Sequence, residues 1–201
     1  MAAATLSVPL ADVALREWST NRGRWQVLTE EGEPVLTLPH NPFSDDRYGV
    51  AAIAGDTQWR DYVYSLEVAF TGNTGLDEPD RGWLGVILRA QDTENYELFW
   101  FMPHAPEGHN SLAYLSVAHG VVPWWTHAYE HGPRGSVPFI RDRWLPVQFE
   151  VRGDSAFIAV GSPPKTVLSV KLTYYLEAGC VGVYCGTRTN GKFRRMRVEH
   201  L

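Results

Sequence analysis

The 201-residue chain lacks the features that define several protein classes. It has only two cysteines, Cys180 and Cys185. In one continuous strand, a spacing of five positions places them on opposite faces about 16 Å apart, which excludes a disulfide between them. No run approaches ~18 apolar residues, so no segment is predicted to span a membrane. The formal net charge of -5 argues against a nucleic acid or an acidic membrane as partner.

Motifs of several enzyme classes are also missing. The sequence contains no G-x-S-x-G element, no glycine loop that cradles phosphate and no dinucleotide fingerprint, and we therefore expect no cofactor. The N-terminal segment has no basic region before an apolar core and reaches Asp12 early, which makes it a poor signal peptide. These features favour a cytoplasmic protein, with removal of an export signal as the alternative.

Helical periodicity is nearly absent, and short segments rich in Val, Ile, Leu and aromatic residues recur between turn signals such as TGNTG and GSPP. The predicted strands cover residues 25–28, 34–38, 50–54, 62–70, 83–89, 97–102, 112–118, 144–151, 156–160, 166–170, 181–185 and 192–198. Many short antiparallel strands predict a single all-β domain over residues 1–201, a β-sandwich of jelly-roll type. The last strand, with Lys192, Arg194, Arg195 and Arg197 alternating around apolar residues, is predicted to be a solvated edge strand.

The segment from Trp83 to Met102, WLGVILRAQDTENYELFWFM, predicts a β-hairpin in which each apolar strand carries one charge, Arg89 or Glu97. If these two residues lie directly opposite each other, their Cβ atoms are about 5 Å apart on one face. A charged pair in an apolar sheet is costly to desolvate, and it therefore indicates a groove for a polar ligand. A register slip of one residue would instead place Tyr96 opposite Arg89 and turn Glu97 to the other face.

A long irregular segment, residues 103–138, follows the hairpin, is interrupted only by the predicted strand around Tyr114, and is rich in aromatic residues and histidine. Long loops in compact domains are usually functional or disordered, and we expect this one to roof the groove. Aromatic rings stack on the C–H faces of sugars while charged and amide groups bond the hydroxyls. The predicted ligand-binding residues are Trp100, His104, Tyr114, Trp124 and Trp125.

Five histidines in this segment raise the question of a metal site. His127 to His131 matches the H-x-x-E-H pattern of inverted zinc peptidases, but flanking prolines leave room for two helical turns at most. Another possible ligand set is His127, His131 and Glu130 with His104 or His109, and calcium would prefer the acidic run Asp77, Glu78 and Asp80. We expect no metal and treat these histidines as polar loop residues.

The order of the segments resembles the concanavalin A-like jelly-roll superfamily of lectins and glucanases, and more narrowly the laminin-G-like and 3-keto-disaccharide hydrolase group. The stretches that carry the resemblance are WSTNRGRWQVLTEEGEPVL, DTQWRDYVYSLEVAF, GVILRAQDTENYELFWF, WLPVQFEVRGDSAFIAV and GCVGVYCGTRTNGKFRRMRV. In the hydrolase group the hairpin often has an arginine at the end of one strand and a glutamate after the tyrosine of the next. Arg89 and Glu97 match these positions, and the resemblance implies a catalytic role for both.

These observations favour a carbohydrate-directed protein, either a glycoside-processing enzyme or a lectin-like binder, with a glycan or other small molecule as ligand. In the enzyme, Glu97 would act as a general base, because the nearby Arg89 favours its charged form. Two alternatives remain open: a non-catalytic protein-interaction module, and a biosynthetic enzyme or carrier that uses the sandwich cavity for a different small molecule.

Overall fold

The computed structural model describes residues 5–6, 17–45, 47–78, 81–103, 111–123, 132–138, 141–173 and 176–201, and side chains from residue 17 onward. Its regular elements are all strands. In chain order they are β1 (Thr5–Leu6), β2 (Ser19–Thr20), β3 (Gln26–Glu30), β4 (Glu33–Leu38), β5 (Val50–Ala54), β6 (Tyr62–Asn73), β7 (Leu84–Ala90), β8 (Tyr96–Phe101), β9 (Leu112–Val117), β10 (Arg134–Gly135), β11 (Leu145–Arg152), β12 (Ser155–Val160), β13 (Lys165–Lys171), β14 (Cys180–Cys185) and β15 (Thr189–His200).

The strands form two antiparallel sheets. One has eight strands in the order β13-β12-β11-β6-β15-β4-β3, with β1 paired to β15, and the other has seven in the order β10-β9-β8-β7-β14-β5-β2. The predicted antiparallel β-sandwich is therefore confirmed. Every predicted strand is present, and the bounds differ by a few residues at most except at the C-terminus, where β15 is longer.

Apolar side chains form two clusters, one on each face of the seven-stranded sheet. The inner cluster lies between the sheets and joins Leu36 and Phe149 of one sheet to Val86 and Phe99 of the other. The outer cluster includes Ile87, Leu98, Trp100 and Tyr184. The seven-stranded sheet is thus apolar on both faces, which explains why β7 and β8 read as nearly continuous apolar runs.

The two cysteines follow the same alternation. Cys185 belongs to the inner cluster and Cys180 to the outer one, and both are free thiols. The prediction that they lie on opposite faces of one strand is confirmed.

The C-terminal strand corrects the sequence analysis, because β15 is an interior strand between β6 and β4. Its arginines are held by ion pairs: Arg194 Nε lies 2.7 Å from Glu67, and Arg195 lies 2.6 Å from Glu33 and 2.9 Å from Glu67. The pattern of alternating basic and apolar residues is the same for an exposed edge strand and for an interior strand whose arginines are paired. The carboxylates that pair with these arginines lie more than a hundred positions away in the sequence, so the local pattern does not distinguish the two cases.

None of the described residues forms a helix long and apolar enough to cross a membrane.

Four buried tyrosines predict alkaline unfolding. Burial raises the pKa of Tyr62, Tyr64 and Tyr96, and burial with the charge of Glu97 raises the pKa of Tyr114 to about 12. In the unfolded chain these phenols ionise near pH 10, whereas the folded state keeps them protonated. We therefore expect the free energy of unfolding to fall as the pH rises through about 10. Urea unfolding at about pH 9 and pH 11, with phenolate absorbance recorded in parallel, measures this, and phenolate formation in the still-folded protein would contradict it.

Candidate functional site

The hairpin of β7 and β8 has a different register from the predicted one. Leu88 lies opposite Glu97, so direct opposition of Arg89 and Glu97 is wrong, and the pairing is the alternative slipped by one residue. Asp92 shapes the turn by accepting hydrogen bonds from the backbone N–H groups of Glu94 at 2.7 Å and Asn95 at 2.8 Å. In this register Glu97 shares the inner face with Phe99 and Phe101 rather than facing outward.

A β-bulge determines where Arg89 points. Cys180 of β14 pairs with Ala90 and Gly182 pairs with Ile87, so one residue of β14 spans two residues of β7. Arg89 itself has a φ of 49°, in the left-handed region that is uncommon for residues with a side chain. Regular alternation would send Arg89 outward beside Ile87. Bulges re-aim side chains and are frequent next to functional sites.

Gly179 makes room for this bulge. A Cβ atom at Gly179 would lie 2.1 Å from the carbonyl carbon and 2.5 Å from the Cα of Arg89. Both are backbone atoms, which cannot rotate away. Glycine at this position therefore lets β14 approach the backbone of β7.

The guanidinium of Arg89 lies at one end of the sandwich, where it bonds backbone carbonyls from three segments. Nη1 donates to Leu176 at 2.9 Å, and Nη2 donates to Arg60 at 3.4 Å and to Gly153. The residue is 4% exposed, and Nε–H has no hydrogen-bond partner among the described residues. A buried donor without a partner is costly. Nη1 carries a second N–H beyond the one bonded to Leu176, and that donor is the candidate for ligand contact.

Arg89 lines a cavity of about 550 Å³, which we call the end cavity. Its walls come from the start of β6, the end of β7, the turn between β11 and β12, and the segment after β13. The lining residues are Arg60, Asp61, Arg89, Gly153, Asp154, Leu172, Leu176 and Glu177. This volume falls within the range of about 300–1,000 Å³ that is usual for small-molecule sites.

Glu97 forms a separate cluster with three hydroxyl-bearing residues, of which Tyr114 is buried, Ser116 is half-buried and Thr173 is exposed. Its Oε2 accepts hydrogen bonds from Tyr114 at 2.9 Å and from Ser116 at 2.6 Å. Thr173 Oγ1 lies 3.1 Å and 3.0 Å from those two hydroxyls, and the Thr173 backbone N–H donates to the Tyr114 hydroxyl at 2.6 Å. Glu97 is 0% exposed, so its carboxylate faces protein hydroxyls rather than solvent.

The carboxylate cluster and the end cavity share one chain segment. Thr173 belongs to the cluster, its neighbour Leu172 lines the cavity, and Leu176 both lines the cavity and binds Arg89. The Tyr62 hydroxyl accepts the Arg89 backbone N–H at 3.2 Å. Because Leu88 pairs with Glu97, Arg89 and Glu97 lie close together at this end of the hairpin.

The structure divides the predicted site residues into separate groups. Glu97 and Tyr114 are hydrogen-bonded on the inner side and Arg89 lies at the end cavity, whereas Trp100 lies on the outer face. Trp100 is 1% exposed and stacks on half-buried Trp83, with ring centroids 6.1 Å apart. One groove that contains Glu97 and Trp100 together is therefore incompatible with the alternation of β8. The remaining predicted residues, His104, Trp124 and Trp125, lie outside the described residues.

Sequence reasoning missed Ser116, Thr173, Asp61 and Gly179. Ser116 is two positions from Tyr114 and shares its face, so strand alternation was an available signal. Thr173 and Gly179 lie in the connection between β13 and β14, where no sequence motif indicates a function.

Most of the candidate metal ligands lie outside the described residues. Within the described residues, no group of three or more His, Cys, Asp or Glu side chains is arranged to hold a metal ion. The candidate ligands His104, His109, His127, Glu130, His131 and Asp80 lie outside those residues.

Comparison with known proteins identifies the fold. No family model and no curated protein matches the chain. Solved structures match over most of its length. The carbohydrate-binding module CBM66 from Bacillus subtilis is 14% identical, with 91% of this chain and 95% of that chain covered and a TM-score of 0.62.

Two further structures show the same likeness. The exoplasmic/lumenal domain of VIP36 in its Ca2+/Man3GlcNAc-bound form is 10% identical, with coverage of 94% of this chain and 85% of that chain and a TM-score of 0.60. A protein of unknown function with a galectin-like fold, from Bacillus subtilis, is 7% identical, with coverage of 92% and 90% and a TM-score of 0.58. The chain has a concanavalin A-like jelly-roll fold. The resemblance stated from the sequence is confirmed at the level of the fold.

Proposed function

We propose that this chain is a carbohydrate-directed protein that binds a sugar in the end cavity. The observation that carries the proposal is Arg89, a buried guanidinium that lies at the cavity beside a β-bulge and whose Nη1 keeps a second N–H beyond the one bonded to Leu176. Carboxylates of Asp61 and Asp154 and carbonyl groups of the walls supply acceptors around it. Sugar hydroxyls both donate and accept hydrogen bonds, and such a lining suits them.

Apolar surface complements these polar groups. Leu172 and Leu176 line the cavity and can contact the C–H faces of a sugar ring. Two of the structural neighbours are described as a carbohydrate-binding module and as a domain bound to Man3GlcNAc, which adds support to a glycan ligand.

The second candidate function is glycoside processing by Glu97. It is favoured by the hydrogen bond of 2.9 Å between the Glu97 carboxylate and the Tyr114 hydroxyl, which pairs a candidate base with an oriented proton carrier. The complete burial of Glu97 and its bonds to two protein hydroxyls favour binding over catalysis.

The test is a screen of glycans and keto-glycosides for binding and turnover, with Arg89→Lys as the principal variant. Lysine keeps the charge but lacks Nε–H and the planar fork of donors, so we expect affinity to fall about tenfold, the equivalent of one hydrogen bond. Arg197→Lys, at an arginine 58% exposed, is the matched control and should bind like the wild type. Melting temperatures confirm that both variants fold.

The outcomes separate the candidate functions. Binding without turnover that weakens in Arg89→Lys supports the sugar binder. Turnover that vanishes in Glu97→Gln while binding persists supports the enzyme. No response to any sugar removes the carbohydrate proposal and favours a protein-interaction module or a site for a different small molecule.

A further inference from the structure

The end cavity is lined by nearly equal numbers of cationic and anionic side chains. Arg60 and Arg89 are cationic, and Asp61, Asp154 and Glu177 are anionic, which gives the lining a formal net charge of -1. Neither sign dominates, unlike a site built for an ion of one charge.

Most of these charges already have partners. Arg60 lies 3.2 Å from Glu177, and Asp154 lies 3.2 Å from Lys171. Asp61 Oδ1 accepts the Gly153 backbone N–H at 2.8 Å.

The hydrogen-bonding capacity that remains is mixed. Arg89 offers the second N–H of Nη1, and the paired carboxylates keep lone pairs that their present partners do not use. A group that donates and accepts without carrying charge matches this combination. A hydroxyl is such a group.

We propose that the end cavity selects uncharged sugars over their acidic and amino counterparts; this inference rests on the proposed function and specifies its ligand class. A uronic acid would bring its carboxylate among the carboxylates of Asp61, Asp154 and Glu177. An amino sugar would bring its ammonium against the buried guanidinium of Arg89. Like charges placed together at a binding site disfavour the ligand, whereas a neutral sugar avoids both contacts.

The experiment compares matched sets of sugars on the full chain: a neutral hexose, its uronic acid and its 2-amino sugar in the gluco, galacto and manno series. Affinities come from calorimetry or ligand-observed NMR at low and at moderate salt. We expect at least one neutral hexose to bind about tenfold more tightly than both charged counterparts, with little dependence on salt.

A charge variant tests whether the lining causes this selectivity. The double change Asp154→Asn with Glu177→Gln turns the formal charge of the lining from -1 to +1 at solvent-exposed side chains. We expect it to strengthen binding of the uronic acid severalfold while the neutral hexose changes less. Asp142→Asn with Glu199→Gln is the control, because it changes the total charge equally at exposed positions outside the cavity.

Each result has one reading. Tighter binding of a charged sugar by the wild type, or equal gains in the lining variant and the control, overturns the selectivity inference and leaves sugar binding intact. No binding of any sugar at any charge overturns the proposed function itself.

Discussion

Gly179→Ala should lower the free energy of unfolding by about 3 kcal/mol, at the upper end of what an added methyl group costs in a packed site. The new Cβ would lie 2.1 Å from the carbonyl carbon of Arg89, and no side-chain rotation relieves a contact with backbone. β14 must then move away from β7, and the Arg89 bulge loses its support. We therefore expect sugar binding to weaken along with stability. Urea unfolding and calorimetry of the same preparation measure the two effects.

Gly32→Ala is the control for Gly179→Ala. Gly32 has a φ of 81°, and a Cβ there would meet nothing within 4 Å, so only the backbone conformation opposes the substitution. We expect a cost of about 1 kcal/mol and no change in binding. If Gly179→Ala costs no more than this control, the close approach of the two strands does not position Arg89.

The strand pattern was readable from sequence because burial and alternation agree locally. β11 shows this most clearly: Leu145, Val147, Phe149 and Val151 are buried, and the residues between them are partly exposed. β7 and β8 were found as strands for another reason, their continuous apolar runs. Those runs leave the register open, because a strand that is apolar on both faces fits its neighbour equally well after a one-residue slip.

The site was less predictable because its geometry depends on distant backbone atoms. Arg89 was identified as a functional candidate from its charge within an apolar strand, but its direction is set by a bulge against β14 and by carbonyls of Arg60, Gly153 and Leu176. A single sequence does not show at which position a bulge will place two residues of one strand opposite one residue of its neighbour. The expected groove that contained both Glu97 and Trp100 disregarded the alternation of β8, which places residues three positions apart on opposite faces.

Glu97→Ala should destabilise the protein by about 3 kcal/mol, and Glu97→Gln by about 1 kcal/mol. Alanine leaves the buried hydroxyl of Tyr114 and the half-buried hydroxyl of Ser116 without the carboxylate that accepts both of their hydrogen bonds. Glutamine keeps a carbonyl oxygen in that place, loses the charge and replaces the second carboxylate oxygen with an NH2 donor. Urea unfolding of the two variants beside Thr173→Val, which removes one hydroxyl from the cluster, ranks these contributions.

The same variants decide whether Glu97 positions the cavity wall or performs chemistry. The Thr173 N–H donates to the Tyr114 hydroxyl, and that hydroxyl is oriented by Glu97, so Glu97 holds the segment that contributes Leu172 and Leu176 to the end cavity. As a positioning residue, Glu97 should slow amide exchange at Thr173, and Glu97→Gln should raise that exchange rate and weaken sugar binding together. A Glu97→Gln protein with unchanged exchange and affinity but no turnover would contradict the positioning role and assign Glu97 to catalysis. Thr173→Val keeps the carboxylate of Glu97. If this variant also speeds amide exchange at position 173, the effect comes from the hydroxyl network rather than from the charge of Glu97.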